Sequence, residues 1–459
     1  MGGAFLPPRC NTALKKAFSL RVDNYYGQGS HEINSTEQGW SAVSHLPGCY
    51  YFSQIERKNP KKKVKGIMNN NPPCTGLVLQ GGGALGAYEY GAIKALYEKR
   101  PGFTPTVITG LSIGSVNAAI LAGAADPIQT LDKIWREDFA MLAPLPFEKV
   151  WQSLVPAAVQ QNLAALGNQG MYSVRPQYLL APVLAPFFTS SFYDTSPLRA
   201  TLENVVDPAL LNSGKQVVVT AVDVATGKLV RFGNTVSLQL QRPRPEPEQT
   251  EPEPIFANTD RLTLDHILAS CSLPPGFPWT AIKGHSYWDG GLRSNTPLTE
   301  AINGLEAFEP NNDSIKREVI VVELVPMAGR VPQTIQEVWE RILGIIFSSK
   351  LDLDEKLFHK MSTNIDLFEE IYALLNAIEG DEALRQTALP QAVKRIRENR
   401  GYKAMKDRRK INAFRVIPFK VPPEATHGTD FSRASIEQRI AAGYDEAIAQ
   451  NIKDPKWVS

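Results

Sequence analysis

Short apolar runs punctuate the chain, and stretches of helical period separate them. Thr75-Gly76-Leu77-Val78-Leu79 reads as a buried strand, and Val107-Ile108-Thr109 as a second, β-branched one. Arg317 to Pro326, carrying Val319, Ile320, Val321 and Val322, reads as a late buried strand. Between the first two, Ala87 to Arg100 places Tyr90, Ile93 and Leu96/Tyr97 at helical spacing. Ser115 to Ala122 follows the second strand as a tightly packed helix of small residues. Helical periodicity dominates from Ile335 to Arg409, and Phe431 to Gln450 forms a last helix with Asp430 or Ser432 as its cap. The pattern predicts an α/β protein: a mainly parallel central sheet between helices, with a helical C-terminal region.

Residues 1–73 differ from the rest. They are polar, with scattered turn residues, a cluster from Lys58 to Lys65 and a linker-like Asn69-Asn70-Asn71-Pro72-Pro73. A partly disordered extension is expected there, followed by an α/β domain over 74–326 and a mostly helical region over 327–459. Gln241 to Pro254 alternates Pro with Arg and Glu, which suits an extended surface loop after strands in the Lys228-to-Leu240 stretch. There are no internal repeats.

Gly110-Leu111-Ser112-Ile113-Gly114 fits G-x-S-x-G, the sharp strand-to-helix turn that exposes a serine hydroxyl. The flanking glycines, Gly110 and Gly114, suit a turn too crowded for a Cβ. Five residues alone are weakly specific, so the context matters. Upstream, the first strand runs into Gln80-Gly81-Gly82-Gly83-Ala84-Leu85-Gly86 and then a helix. Such a loop points free N–H groups at one spot, where the helix dipole favours an anion. The oxyanion of an acyl-transfer intermediate is one candidate. Gly81, Gly83 and Gly86 also satisfy G-x-G-x-x-G, the dinucleotide fingerprint. That fold expects an acidic residue about 20 residues on, and no Asp or Glu stands between Glu98 and Asp126. Downstream, an aromatic strand, Tyr287-Trp288, ends in Asp289-Gly290-Gly291. Alone this is an ordinary turn signal. At a strand end of an α/β sheet it is also where a catalytic carboxylate would sit.

Together the three motifs, in this order, resemble the patatin-like phospholipase family over roughly residues 74–326. Ala269 to Pro278 resembles the family's A-S-x-x-x-P-x-x-F-P segment, and Val218 to Lys228 its T-A-T-D-x-x-T-G-K hairpin. The resemblance implies a three-layer α/β/α fold and hydrolysis of carboxylic esters in phospholipids or acylglycerols. It implies a histidine-free dyad, with Ser112 as nucleophile and Asp289 as general base. It also implies an oxyanion hole from Gly81, Gly82, Gly83 and Ala84, supported by Gly86, Gly110, Gly114, Gly290 and Gly291. Many members carry Arg or Lys at the fifth position of the glycine loop. Here that position is Leu85, so the loop would rely on backbone N–H groups, mainly of Gly82, Gly83 and Ala84. A Ser-Asp-His triad remains open by chain order, since His359 and His427 follow Asp289. His285 would lie about 13 Å from Asp289 at roughly 3.3 Å per residue of strand. Two rival functions stand beside the hydrolase: a catalytically weak member kept for lipid or protein binding, and the dinucleotide binder.

Composition adds bounds. With 459 residues, 43% of them hydrophobic, the chain can bury a large core and an appended region. A net charge of +2 argues against a nucleic-acid binder. Cys10, Cys49, Cys74 and Cys271 form neither a close-spaced metal pair nor a disulfide scaffold, so a reducing compartment, no metal and no cofactor are expected. No apolar run approaches the roughly 18 residues of a membrane span. Arg9, Lys15 and Lys16 precede no apolar segment of a secretory signal, which leads to a cytoplasmic expectation. Lys394, Arg395, Arg397, Arg400, Lys403, Lys406, Arg408, Arg409 and Lys410 form a basic stretch. It suits either a solvated helix face or a peripheral contact with anionic membrane. Oligomeric state is left open.

Overall fold

The structure, a computed structural model, describes residues 73–141, 167–181, 183–234, 255–256, 261–308, 315–325, 331–333, 335–348, 351–383, 387, 389–406, 408–422 and 425–453. The expected N-terminal extension, apart from residue 73, and the 241–254 loop lie outside these residues, as do Cys10 and Cys49.

The main sheet contains β1 (Cys74–Leu79), β2 (Val107–Gly110), β3 (Gln216–Asp223), β4 (Leu229–Gly233), β5 (Ile255–Phe256), β6 (Thr280–Ile282), β7 (His285–Asp289), β8 (Arg317–Val322) and β9 (Ala413–Ile417). They run in the order β9-β8-β1-β2-β3-β7-β6, with β4 paired to β3 and β5 to β4. The five strands from β9 to β3 are parallel. β4 and β7 pair antiparallel with β3, and β6 antiparallel with β7. The helices include α1 (Gly86–Lys99), α2 (Ile113–Gly123), α3 (Leu264–Ser270), α4 (Leu298–Ala307), α5 (Ile335–Phe347), α6 (Leu351–Gly380) and α7 (Arg433–Ala449).

Both faces of the sheet are covered. On one, Leu77, Leu79, Ile320 and Val322 pack with Ile93 of α1, Val116 of α2 and Ile436 of α7. On the other, Val78, Val107, Val319 and Val321 pack with Leu298, Ala301 and Leu305 of α4. This is the three-layer α/β/α arrangement. It explains why β1, β2 and β8 read as unbroken apolar runs: alternate residues enter two different cores.

The C-terminal region is largely helical, as expected. Leu375 of α6, Val393 and Tyr402 form a small separate core. One element there departs from the helical reading. Ala413-Phe414-Arg415-Val416-Ile417 extends the sheet beside β8 as a fifth parallel strand. Its alternation is masked in sequence by Arg415, which is buried and bonds to the Gln450 carbonyl. Helix α7 then returns across α1. Ser432 caps it, accepting from the Ser435 N–H at 3.4 Å.

Candidate active site

The loop between β2 and α2 consists of Leu111 and Ser112. Ser112 is held at φ 50°, ψ −125°, a region that side chains other than glycine rarely enter. Such a conformation costs on the order of 1–3 kcal/mol and persists only where the surroundings enforce it. A Cβ at Gly110 would lie 2.5 Å from the Gly114 carbonyl oxygen, and one at Gly114 would lie 2.5 Å from that of Leu79. The turn can therefore close this tightly only with glycine at both flanks. The Ser112 N–H donates to Ser270 Oγ at 3.1 Å. Its carbonyl accepts from Ser115 Oγ at 2.6 Å and from Cys271 Sγ at 3.1 Å. With its backbone groups bound, the half-buried serine has its side chain as its remaining free element.

Asp289 reaches the serine because of strand order. Along β3, Val219 pairs with Gly110 of β2 on one edge and with Phe232 of β4 on the other. Two residues on, Ala221 pairs with Val230 of β4 and with Asp289 of β7. With β4 occupying one edge throughout, β2 and the antiparallel β7 share the other, their C-terminal ends facing. Ser112 leaves one end and Asp289 closes the other. Asp289 is 2% exposed. Its carboxylate accepts from the Gly291 N–H at 2.8 Å and stands beside the Ser112 side chain. Its own N–H donates to the Ser272 carbonyl at 2.9 Å. Burial pushes the Asp289 carboxyl up to about 6, against the lowering effects of the Ser112 side chain and the Gly291 N–H. Gly290 lies where a Cβ would come 2.6 Å from Leu111 Cδ1, and Gly291 lies against Phe347 at the end of α5.

The glycine loop lies beside the elbow because Leu79 of β1 pairs with Gly110 of β2. A Cβ on Gly81 would come 3.0 Å from the Ser112 Cβ and 2.8 Å from Asn295 Oδ1. Asn295 Nδ2 holds the Gly81 carbonyl at 3.3 Å. The Gln80 side chain bridges Thr296 Oγ1 at 2.8 Å and the Leu324 N–H at 2.9 Å. No described residue accepts from the N–H groups of Gly82 or Gly83. The Ala84 N–H is different: it donates to the Gly428 carbonyl at 2.7 Å. Of the donors expected in the loop, Ala84 is therefore engaged here, while Gly82 and Gly83 are open. Gly86 packs the start of α1 onto α2, where a Cβ would lie 2.6 Å from Ile113 Cγ1.

The glycine loop, the serine elbow and the Asp-Gly-Gly turn thus converge on one point. Residues 77–302 match the family model for patatin-like phospholipase. The chain carries a patatin-like phospholipase domain. Among solved structures it is similar to VipD from Legionella pneumophila, at 15% identity and a TM-score of 0.33, over 83% of this chain and 67% of that one. It is also similar to the heterodimeric ExoU–SpcU complex of the Pseudomonas aeruginosa type III secretion system, at 17% identity and a TM-score of 0.25, over 82% of this chain and 75% of that one. No curated protein sequence matches the chain.

This patatin-like site includes residues that its motifs do not reveal. Beneath the loop, Glu89 is fully buried, and burial holds its carboxyl well above the ordinary range. Asn117 Nδ2 donates to Glu89 Oε2 at 2.9 Å and to the Gly86 carbonyl at 3.1 Å. Trp135 Nε1 donates to Asn117 Oδ1 at 3.0 Å. The sequence signal for this network is polar residues placed on otherwise apolar helix faces. Asn295 and Arg439 carried no such signal, while Ser270 lies in the Ala269-to-Pro278 segment of the family resemblance.

The histidines divide. His285 Nδ1 pairs with Asp223 Oδ2 at 3.0 Å, at the far end of β7 from Asp289. His266 caps α3 against Thr263, and burial lowers it to about 4. His359 lies in α6, with its side chain outside the described residues. His427 lies in the loop that docks on the glycine loop through Gly428. The end of β2, where a dinucleotide site needs a carboxylate, carries Gly110.

Two surface features flank this framework. Residues 176–193 contain no charged side chain, and Leu180, Val183, Phe187 and Phe188 are 85, 80, 79 and 80% exposed. This segment is anchored at its end, where the Phe192 and Tyr193 N–H groups donate to the Pro275 and Gly276 carbonyls. In the basic stretch, Arg397 pairs with Glu379, Arg408 with Glu306 and Lys410 with Asp366. Lys394, Arg395, Arg400, Lys403 and Lys406 stay exposed. Among the described residues, no helix is long and apolar enough to cross a membrane, and no group of three or more His, Cys, Asp or Glu could hold a metal ion.

Proposed function

We propose that this protein is a lipid acyl hydrolase that cleaves carboxylic ester bonds of phospholipids or acylglycerols through a Ser112–Asp289 dyad. The observation that carries this reading is the juxtaposition of a serine on a strained elbow with a buried aspartate whose pKa is raised. The ordinary carboxylate pKa near 4 makes a poor base for a hydroxyl, whereas about 6 brings it close to working pH. Ser112 Oγ attacks the ester carbonyl carbon while its proton passes to Asp289. Negative charge develops on the carbonyl oxygen, which the free N–H groups of Gly82 and Gly83 stabilise beside the N-terminus of α2. The tetrahedral intermediate collapses, Asp289 returns the proton to the departing alcohol, and an acyl-Ser112 remains. Water, activated by Asp289 acting again as base, releases the fatty acid.

A lipid substrate fits the family and the surface. An uncharged segment with four large apolar side chains about four-fifths exposed suits insertion at a lipid–water boundary. The exposed lysines and arginines of 394–406 would add attraction to anionic membrane, at about 1 kcal/mol per residue near the surface. The test is direct. A fluorophosphonate probe should label Ser112, and the full chain should release fatty acid from phospholipid or acylglycerol vesicles. Ser112→Ala should do neither. Activity of Ser112→Ala within about tenfold of wild type removes the assignment.

A further inference from the structure

We propose that Arg439, outside the family-matched stretch, is the positioning residue that holds the oxyanion loop in its working geometry and takes over the place left by Leu85. This rests on the reading of Ser112 and the glycine loop given above.

Arg439 lies on α7 and is fully buried. Its guanidinium donates to four backbone carbonyls: Nε to Ala425 at 2.8 Å, Nη2 to His427 at 2.8 Å, and Nη1 to Asp430 at 2.5 Å and to Ala84 at 3.4 Å. Three of these oxygens belong to the loop before α7, and the fourth belongs to the glycine loop itself. A buried cation is expensive to place, so one aimed at backbone carbonyls marks a loop whose shape matters. The planar fork reaches several acceptors at once, which a lysine ammonium could not do in the same geometry.

The held loop meets the glycine loop closely. The Gly428 carbonyl takes the Ala84 N–H at 2.7 Å. A Cβ on Gly83, whose φ is +58°, would lie 2.5 Å from that oxygen, and a Cβ on Gly428 would lie 2.8 Å from the Gly82 carbonyl oxygen. The helix behind is seated equally tightly. A Cβ on Gly91 of α1 would run into the Ile440 carbonyl, and one on Gly443 of α7 into the Tyr88 carbonyl. Arg439 thus enters from a helix locked against α1, the helix that the glycine loop starts.

The hydrogen bonds also run in a useful direction. Arg439 donates to the Ala84 carbonyl, the Leu85 N–H of that same peptide donates to the Gly82 carbonyl at 3.1 Å, and the peptide of Gly82 carries the Gly83 N–H. Each donor is made stronger by the acceptance behind it. A positive charge at one end therefore increases the donor strength of Gly83 at the other, where the oxyanion forms. The side chain at position 85 is apolar and buried against the core, so the charge reaches the loop through the backbone.

The experiment uses the full chain, with active sites counted by fluorophosphonate labelling taken to completion. Arg439→Gln should lower kcat per labelled site by about 10- to 100-fold with KM changed by less than threefold. Arg439→Lys, which keeps charge but not the fork, should recover part of that loss. Gly428→Ala leaves Arg439 intact, crowds the Gly82 carbonyl and should reproduce the kcat defect. Folded Arg439→Gln with wild-type kcat per labelled site overturns the proposal, as does a loss confined to KM. If Arg439→Gln does not fold, wild-type kcat in Gly428→Ala together with Arg439→Lys overturns it. Failure of the wild type to label at Ser112 would instead remove the hydrolase reading on which it rests.

Discussion

The Ser112 side chain stands beside the carboxylate of Asp289, and that carboxylate is buried against the sheet with its pKa raised to about 6. In the proposed dyad the pair works only when Asp289 is ionised. In acid it holds its own proton and cannot take that of the serine.

The pH profile follows from this. kcat/KM should fall about tenfold per pH unit below 6 and level off above about 7. Steady-state hydrolysis of a soluble ester from pH 4.5 to 8.5 measures it. A midpoint near 4 would mean that the carboxylate is not the buried one.

Asp289→Asn should abolish turnover nearly as fully as Ser112→Ala, because the two act as one unit. Its effect on stability has the opposite sign. Folded Asp289 keeps its proton up to about 6, while the unfolded group loses it near 3.9. Its contribution is thus most favourable in acid and is lost as pH rises through 6. Asparagine removes that penalty, so the variant should be more stable than wild type at pH 8 by up to about 3 kcal/mol. The gap should close near pH 4. Urea denaturation at the two pH values checks it.

Ser112→Gly and Ser112→Ala both lack the hydroxyl and should both be inactive. They differ in backbone freedom at a φ of 50°. Glycine should be the more stable of the two by about 1 kcal/mol, reversing its usual deficit against alanine. Equal denaturation midpoints would mean the elbow is not strained.

His427→Ala should keep activity within about threefold, since Arg439 uses the His427 carbonyl and the Asp289 carboxylate accepts from Gly291 beside Ser112. Loss as complete as that of Ser112→Ala, in a folded protein, would replace the dyad by a triad.

Phe187→Asp combined with Phe188→Asp should lower hydrolysis of vesicle lipid by more than about tenfold while sparing a soluble short-chain ester. Both side chains are about four-fifths exposed and lie in the uncharged segment. Equal losses on both substrates would show that the segment supports the fold and not the lipid surface.

What the sequence determined by itself was local. The apolar runs of β1, β2 and β8 announced buried strands because each residue enters one of two cores. Gly110, Gly114 and Gly83 announced tight backbone because a Cβ there meets a carbonyl oxygen at 2.5 Å. The three motifs and their order were therefore legible, and with them the family. The tertiary structure decided which of these segments touch. Asp289 meets Ser112 because β7 runs end to end with β2 along one edge of β3, an arrangement set by sheet order and not by either motif. The Ala84 N–H proved engaged by Gly428, and Arg439 reached the Ala84 carbonyl across 355 residues of chain. Periodicity and glycine patterns report what a residue requires of its immediate neighbours. A contact between distant segments arises when whole layers pack, with α7 seated on α1 and β9 added beside β8, and no short window of sequence contains both sides of it.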